Sequence, residues 1–229
     1  KDEETGEPLV DKILDAAGQK GTGRWTVASA FELGVPIPTM IAAVTARVIS
    51  SYKAERVAAA QILTSTSDGK YHGEKQEFIA AVRDALYCSK ICSYAQGMAL
   101  LKRADQEYNY GLNLAEIARI WKGGCIIRAG FLDKIKNAYR TNPNLSNLLI
   151  DPDFTQSILQ KEKAWRLVVK SAVEMGVPVP AFSASLDYFD SYRQVNLPQN
   201  LTQAQRDYFG AHTYERVDKP GVFHTEWTK

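Results

Sequence analysis

The residues best suited to chemistry lie near the start of the chain, where Asp15 is followed by Gly18, Gln19, Lys20, Gly21, Thr22, Gly23, Arg24 and Trp25. A Gly-Thr-Gly run lets backbone N–H groups approach an anion, and Lys20 sets a cation beside them. A helix expected to begin soon after Trp25 adds its positive end. This combination suits a phosphate or a carboxylate. Gly18 and Gly23 also have the spacing of the mononucleotide phosphate loop. That motif requires Lys and then Ser or Thr after the second glycine, whereas Arg24 and Trp25 follow here. No strand pattern precedes Gly18 either, because residues 9 to 17 read as a helix. Metal chemistry has little support. Cys88, Cys92, Cys125, His72, His212 and His224 show no spacing by which about four ligands could converge. Cys88 and Cys92 lie one helical turn apart in an apolar pattern and read as reduced core thiols.

The elements that must position these residues are helical. Nearly every segment carries a helical period and no long run alternates apolar with polar residues, so the expected class is all-α. From Glu74 to about Asp105, Phe78, Val82, Ala85, Cys88, Cys92, Ala95 and Ala99 keep one stripe on one face, which predicts a long buried helix. Asn113 with Glu116, Asp151 with Pro152, and Thr202 with Gln205 carry start signals for further helices. Turn formers cluster at residues 65 to 73, at Gly123-Gly124 and around Asn142-Pro143.

The stretch from Ala30 through Gly34 and Pro36 to Pro38 is echoed from Ala172 through Gly176 and Pro178 to Pro180, and Ser51-Tyr52-Lys53 returns as Ser191-Tyr192-Arg193. Each copy predicts a helix that stops at the glycine, turns through the prolines and restarts. The chain therefore reads as two related helical halves packed as one domain over residues 1–199. An extended tail, residues 200–229, holds Tyr208, Phe209, Tyr214, Phe223 and Trp227, a set that needs a surface to dock on, in its own chain or another.

Composition narrows the function. With 229 residues, 45% of them apolar and a formal net charge of +2, the chain can bury a core but offers no bulk charge to attract nucleic acid or a membrane surface. The uncharged run from Leu33 to Ala46 is broken by Pro36 and Pro38 and falls short of the roughly 20 residues that cross a bilayer. The opening Lys1-Asp2-Glu3-Glu4 is no signal peptide, so the expectation is a cytoplasmic protein of which this sequence is an internal piece.

Taken together, Ile13 or Leu14, Asp15, Gly18, Gln19 and Lys20 to Trp25 resemble the signature of the 6-phosphogluconate dehydrogenase family. The likeness continues through Tyr94-Ala-Gln-Gly97, Trp121 to Arg128, and Gln203 to Glu215, and so spans essentially the whole chain. Arg24 stands where many members have Lys, which keeps the charge. The family oxidises 6-phosphogluconate with NADP and decarboxylates the 3-keto intermediate to ribulose 5-phosphate, without a metal. The resemblance implies that Lys20 and Arg47 bind the substrate phosphate with help from Thr22. It also implies that Arg206 and His212 arrive on a tail exchanged within a homodimer. The family's general-base lysine, general-acid glutamate and NADP-binding Rossmann fingerprint would lie upstream; no Gly-x-Gly-x-x-Gly occurs here, and no catalytic residue is expected in this chain. On local pattern alone Arg47, between Ala46 and Val48, would be a snorkelling surface residue. A phosphomonoester, however, is best held by several converging cations, and Lys20, Arg47 and Arg206 would supply them. His212 would serve a sugar hydroxyl or carboxylate. The alternative is a non-catalytic helical module that binds a phosphorylated ligand.

Overall fold

The structure is a computed structural model and describes residues 1–18 and 20–227; Gln19 of the opening motif lies outside the described residues. It is helical as expected, with nine α-helices and one small hairpin among the described residues. Two compact units emerge, Lys1–Phe189 and Asp190–Lys229.

The first unit is organised around α4 (Lys75–Tyr108), whose 34 residues bury Ala81, Ala85, Cys88, Ile91, Cys92, Ala95 and Met98 along one side. Small residues at several of these positions let α7 (Pro152–Met175) lie close along it, inserting Phe154, Ile158, Trp165 and Val168 into the shared core. Aromatic rings join further elements to this pair: Phe131, just before α6 (Leu132–Thr141), meets Tyr94 of α4 edge-to-face at 4.8 Å between centroids, and Trp165 of α7 packs on Phe189 at 5.9 Å. Asn113 and Asp151 cap α5 (Leu114–Ile120) and α7 as their sequence signals predicted, each accepting backbone N–H bonds in the first turn. Between α5 and α6, the loop that carries Ile126 and Ile127 is tied to α4 by the Tyr94 hydroxyl, which donates to the Ile127 carbonyl. Cys88 and Cys92 are free and buried; burial pushes the Cys88 thiol up to about 12, and that of Cys92 further. Both are inert as nucleophiles near neutral pH.

The internal repeat is present in three dimensions. Helix α1 (Thr22–Glu32) stops where Gly34 takes a φ of +66°, and α7 stops where Gly176 takes +70°. The next N–H in each copy reaches back to the helix, Val35 to the Ala30 carbonyl at 2.9 Å and Val177 to that of Ala172 at 2.8 Å. Pro38 and Pro180 then open α2 (Pro38–Ser50) and α8 (Pro180–Tyr192), where the missing proline N–H costs no hydrogen bond. A buried polar chain joins the two copies through α4. Gln96 donates to Thr39 Oγ1 and accepts from the Thr39 N–H, and Thr39 Oγ1 lies 2.9 Å from Ser185 Oγ, which donates to the Ala181 carbonyl. Every member is satisfied, so the network fixes α2 without an unpaired buried group.

Local patterns misled at three helix starts. Residues 9–17 form only a 3-10 turn at Leu9–Lys12. Their apolar side chains, Leu9, Val10, Ile13 and Leu14, are more than half exposed, and an amphipathic pattern gains little stability as a helix without a surface to bury its face. Helix α1 begins at Thr22, before Trp25, because Gly21 takes the N-cap position and the Thr-Gly pair becomes the first turn. The third concerns α9 (Gln199–Gly210) in the second unit. It begins a turn ahead of Thr202, since Pro198, with φ of −64°, is already preset for helix entry. After α9 the second unit closes with an antiparallel hairpin, β1 (Tyr214–Glu215) against β2 (Val222–Phe223). No helix among the described residues is long and apolar enough to cross a membrane.

Candidate functional site

In the first unit the residues flanking Lys20 are pinned onto the end of α2 and onto α3 (Lys53–Ala60). The Asp15 carboxylate accepts from Lys53 Nζ at 2.5 Å and from Arg56 Nη1 at 3.1 Å. The Lys53 bond first, and then Arg56, holds Asp15 down at about 2. Arg56 also donates to the carbonyls of Asp15 and Ser50, and Ser50 Oγ accepts the Ala17 N–H at 2.9 Å. Arg47, from the last turns of α2, donates to the Gly18 carbonyl. The path of residues 15–18 is thereby set by side chains on two helices.

That path delivers Lys20, Gly21 and Thr22 to the N-terminus of α1, where the first backbone N–H groups have no helical acceptor. Gly23 lies at a tight point between α1 and α2: a Cβ there would stand 3.0 Å from Val44 Cγ2, which would have to give by a few tenths of an ångström. Lys20, Thr22 and Arg47 are exposed. Lys53 and Arg56 are neutralised by Asp15, whereas neither Lys20 nor Arg47 has a carboxylate partner among the described residues. The structure thus gathers three of the expected residues at one loop–helix junction with positive charge to spare.

The other two, Arg206 and His212, belong to the second unit, where both line a shallow depression of about 360 Å³ with Thr202, Gln205, Phe209 and Gly210. The turn that presents His212 is unusual. Ala211 and Thr213 on either side of it both have positive φ, +49° and +64°. Such backbone is disfavoured for a β-branched residue and persists only when its surroundings enforce it. The enforcement comes from Asp207, a fully buried carboxylate. Its Oδ1 accepts the Thr213 N–H and faces His224 Nδ1, both at 2.9 Å, and its Oδ2 accepts the Thr225 N–H and the Trp227 indole N–H. Burial pushes the Asp207 carboxyl up, but His224, the Thr225 N–H, Trp227 and the Thr213 N–H together outweigh it and hold the group well below the usual carboxylate range.

Because the folded value is depressed, the contribution of Asp207 to tail order is present above the ordinary carboxylate value of about 4 and is lost only as pH falls through the depressed one. The Trp227 indole N–H resonance should therefore hold its position through pH 4 and move below it. In Asp207→Asn it should be displaced even at neutral pH. A wild-type shift centred near 4 would count against this account.

Sequence reasoning missed Asp207, Gln203, Ser50, Lys53 and Arg56 as organisers of the site. Asp207 and Gln203 stood inside the quoted Gln203–Glu215 motif, and a lone acid followed by Tyr208 and Phe209 was the available signal. The described residues offer no parallel strand–turn–helix unit, and their strands are two residues each. Such a unit is what a Rossmann-type dinucleotide cradle is built from.

Comparison with known proteins bears on the same residues. The family model described as 6-phosphogluconate dehydrogenase, C-terminal domain, matches residues 1–227. The chain is 70% identical over 223 residues to a decarboxylating 6-phosphogluconate dehydrogenase of Synechococcus elongatus, covering 97% of this chain and 47% of that protein. It is 58% identical to the NADP(+)-dependent, decarboxylating enzyme of Bacillus subtilis, covering 100% of this chain and 49% of that protein. Among solved structures, Plasmodium falciparum 6-phosphogluconate dehydrogenase, described in apo form and in complexes with NADP+ and with 6-phosphogluconate, superposes with a TM-score of 0.91. Its identity is 50%, over 99% of this chain and 49% of that one. The chain thus spans about half the length of the relatives it matches. With the opening motif, both helical copies and the tail all inside one matched span, the chain belongs to the family of 6-phosphogluconate dehydrogenase C-terminal domains.

Proposed function

We propose that this chain is the substrate-binding and dimerising part of an NADP-dependent, decarboxylating 6-phosphogluconate dehydrogenase, acting in the cytoplasm as a homodimer with exchanged tails. The reaction passes a hydride from the substrate to NADP and then releases CO₂ from the 3-keto acid to leave ribulose 5-phosphate. In this reading residues 1–199 bind substrate and pair the subunits, and residues 200–229 form the crossing tail. Lys20, Thr22 and Arg47 take the substrate phosphate, and Arg206 and His212 of the exchanged tail close over it. The acid and base that move protons, and the seat of NADP, belong to the other half of the protein.

The observation that carries the proposal is that Arg47 is fixed onto the Gly18 carbonyl, two residues before Lys20, with no carboxylate among the described residues to neutralise either cation. A dianionic phosphate is the ligand that such a junction suits, through two cations and the free N–H groups of α1. Arg47→Ala in the full-length enzyme should raise the KM for 6-phosphogluconate roughly 10- to 100-fold, about 1.5–3 kcal/mol for one charge-assisted bond. The KM for NADP should stay nearly unchanged. Arg47→Lys should recover part of the loss, since it keeps the charge but not the guanidinium fork that can serve Gly18 and a phosphate together. An unchanged substrate KM in Arg47→Ala would leave the arginine with loop bracing alone. Binding of 6-phosphogluconate by the full-length protein without any turnover would favour the non-catalytic module.

A further inference from the structure

On α9, Gln203, Arg206, Asp207 and Gly210 recur at the spacing that puts them on one helical face. The side-chain amide of Gln203 is used at both ends. Its oxygen accepts from Arg206 Nη1 at 3.0 Å, and its nitrogen donates to the Thr213 carbonyl at 2.8 Å. Thr213 directly follows His212, and its N–H is the one held by Asp207. One neutral side chain thus bridges the guanidinium of Arg206 and the strained turn that carries His212. Gly210 lets the His212 ring come close, since a Cβ there would lie 3.0 Å from it and the imidazole would have to give by a few tenths of an ångström.

We propose that Gln203 is a positioning residue that sets Arg206 and His212 in a fixed relation before substrate arrives, a role that rests on the substrate-binding assignment of those two side chains. Gln203 need not touch substrate. Asp207 holds the Thr213 peptide from its N–H side and Gln203 holds it from its carbonyl side, so the positive-φ backbone has no free end about which to relax. An exposed arginine otherwise samples many rotamers and loses that freedom on binding, and prior fixation by the Gln203 oxygen reduces the loss. The amide suits both tasks where a carboxylate would not, because a glutamate would keep the arginine but repel the Thr213 carbonyl.

The test is steady-state kinetics on the full-length enzyme with Gln203→Met, which keeps length and helix propensity but removes both bonds, alongside Arg206→Ala and the double variant. Gln203→Ala serves as a second replacement should Met disturb the fold. The expected result is a KM for 6-phosphogluconate raised about 10-fold, with kcat within about twofold and the KM for NADP unchanged. In the Arg206→Ala background the same replacement should raise KM by less than about threefold, since part of its route to the substrate is already gone. If Arg206→Ala weakens substrate binding but Gln203→Met leaves KM unchanged, or costs as much in the double variant as alone, the positioning role is overturned. If Arg206→Ala itself leaves KM unchanged, the reading of the site falls, and this inference with it.

Discussion

Purified by itself, the 229-residue polypeptide is expected to unfold cooperatively on heating and yet to release no NADPH from 6-phosphogluconate and NADP. Cooperative melting is expected because its first unit holds a complete core, with Phe154, Ile158, Trp165, Ile91 and Met98 at most 1% exposed. Loss of turnover follows from what the chain cannot position. Hydride transfer requires the nicotinamide within about 3–3.5 Å of the reacting carbon, and such placement supplies roughly 7–11 kcal/mol of the barrier reduction. The described residues carry only a two-residue-per-strand hairpin in place of a cofactor fold. Nor do two strongly shifted groups, Asp15 and Cys88, suit the role of base. Asp15 is held at about 2 by Lys53 and Arg56, far from the value near the working pH that proton transfer favours. Cys88 is buried and pushed the other way, to about 12. The check is NADPH absorbance measured on the same preparation that shows a cooperative melt by circular dichroism. Turnover by that preparation would sink the division of labour between the two halves of the protein.

Where local rules decide, the sequence could be read directly. Gly34 with Pro38 and Gly176 with Pro180 announced two helix ends and two restarts, because a positive φ and a missing N–H are properties of those residues wherever they stand. Asn113 and Asp151 announced their helices for a similar reason, since a cap needs only a partner two or three residues on. Residues 9–17 were misread because their apolar spacing promises a helix only if something covers the apolar face. Thr202 was misread because a capping pattern competes with any earlier start, and Pro198 provided one. The pinning of Lys20 was hidden for another reason. Asp15 with Lys53 and Arg56, and Ala17 with Ser50, are ordinary residues made significant by a fold that brings distant segments together. Asp207 was the least legible, since two of its four donors are backbone N–H groups that no residue type advertises. The two groups of proposed binding residues differ accordingly. Lys20 stood in a motif that suggested an anion site unaided, whereas Arg206 and His212 were singled out only by family resemblance.

Mixing two full-length variants, one lacking the upstream catalytic lysine and the other Arg206→Ala, should restore activity once their subunits exchange, when assayed at a 6-phosphogluconate concentration far below the raised KM of Arg206→Ala. If the tail crosses the two-fold axis, each heterodimer contains one site with an intact upstream lysine and an intact Arg206, and one site that lacks both. Random reassortment of equal amounts makes about half of all dimers mixed, so roughly a quarter of all sites should recover. Over a near-inactive background this is a large effect. The structure supplies the physical motive for such a tail. Tyr208, Phe209, Leu201 and Val222 are each more than half exposed, with Phe209 at 80%, although the second unit is internally well organised by Asp207 and the hairpin. A segment whose turn and hairpin are already held in place while its large apolar side chains face outward is suited to rest on another surface without refolding, so the cost of ordering it on assembly is small. A tail returning to its own subunit would pair the broken lysine site with its own intact Arg206. The intact lysine site would then keep the Arg206→Ala replacement of its own chain, leaving every site defective after mixing. Subunit exchange must be verified independently, by native mass spectrometry of differently tagged chains. Recovery near a quarter of the wild-type specific activity then assigns Arg206 to the opposite subunit, and no recovery in verified heterodimers returns it to its own.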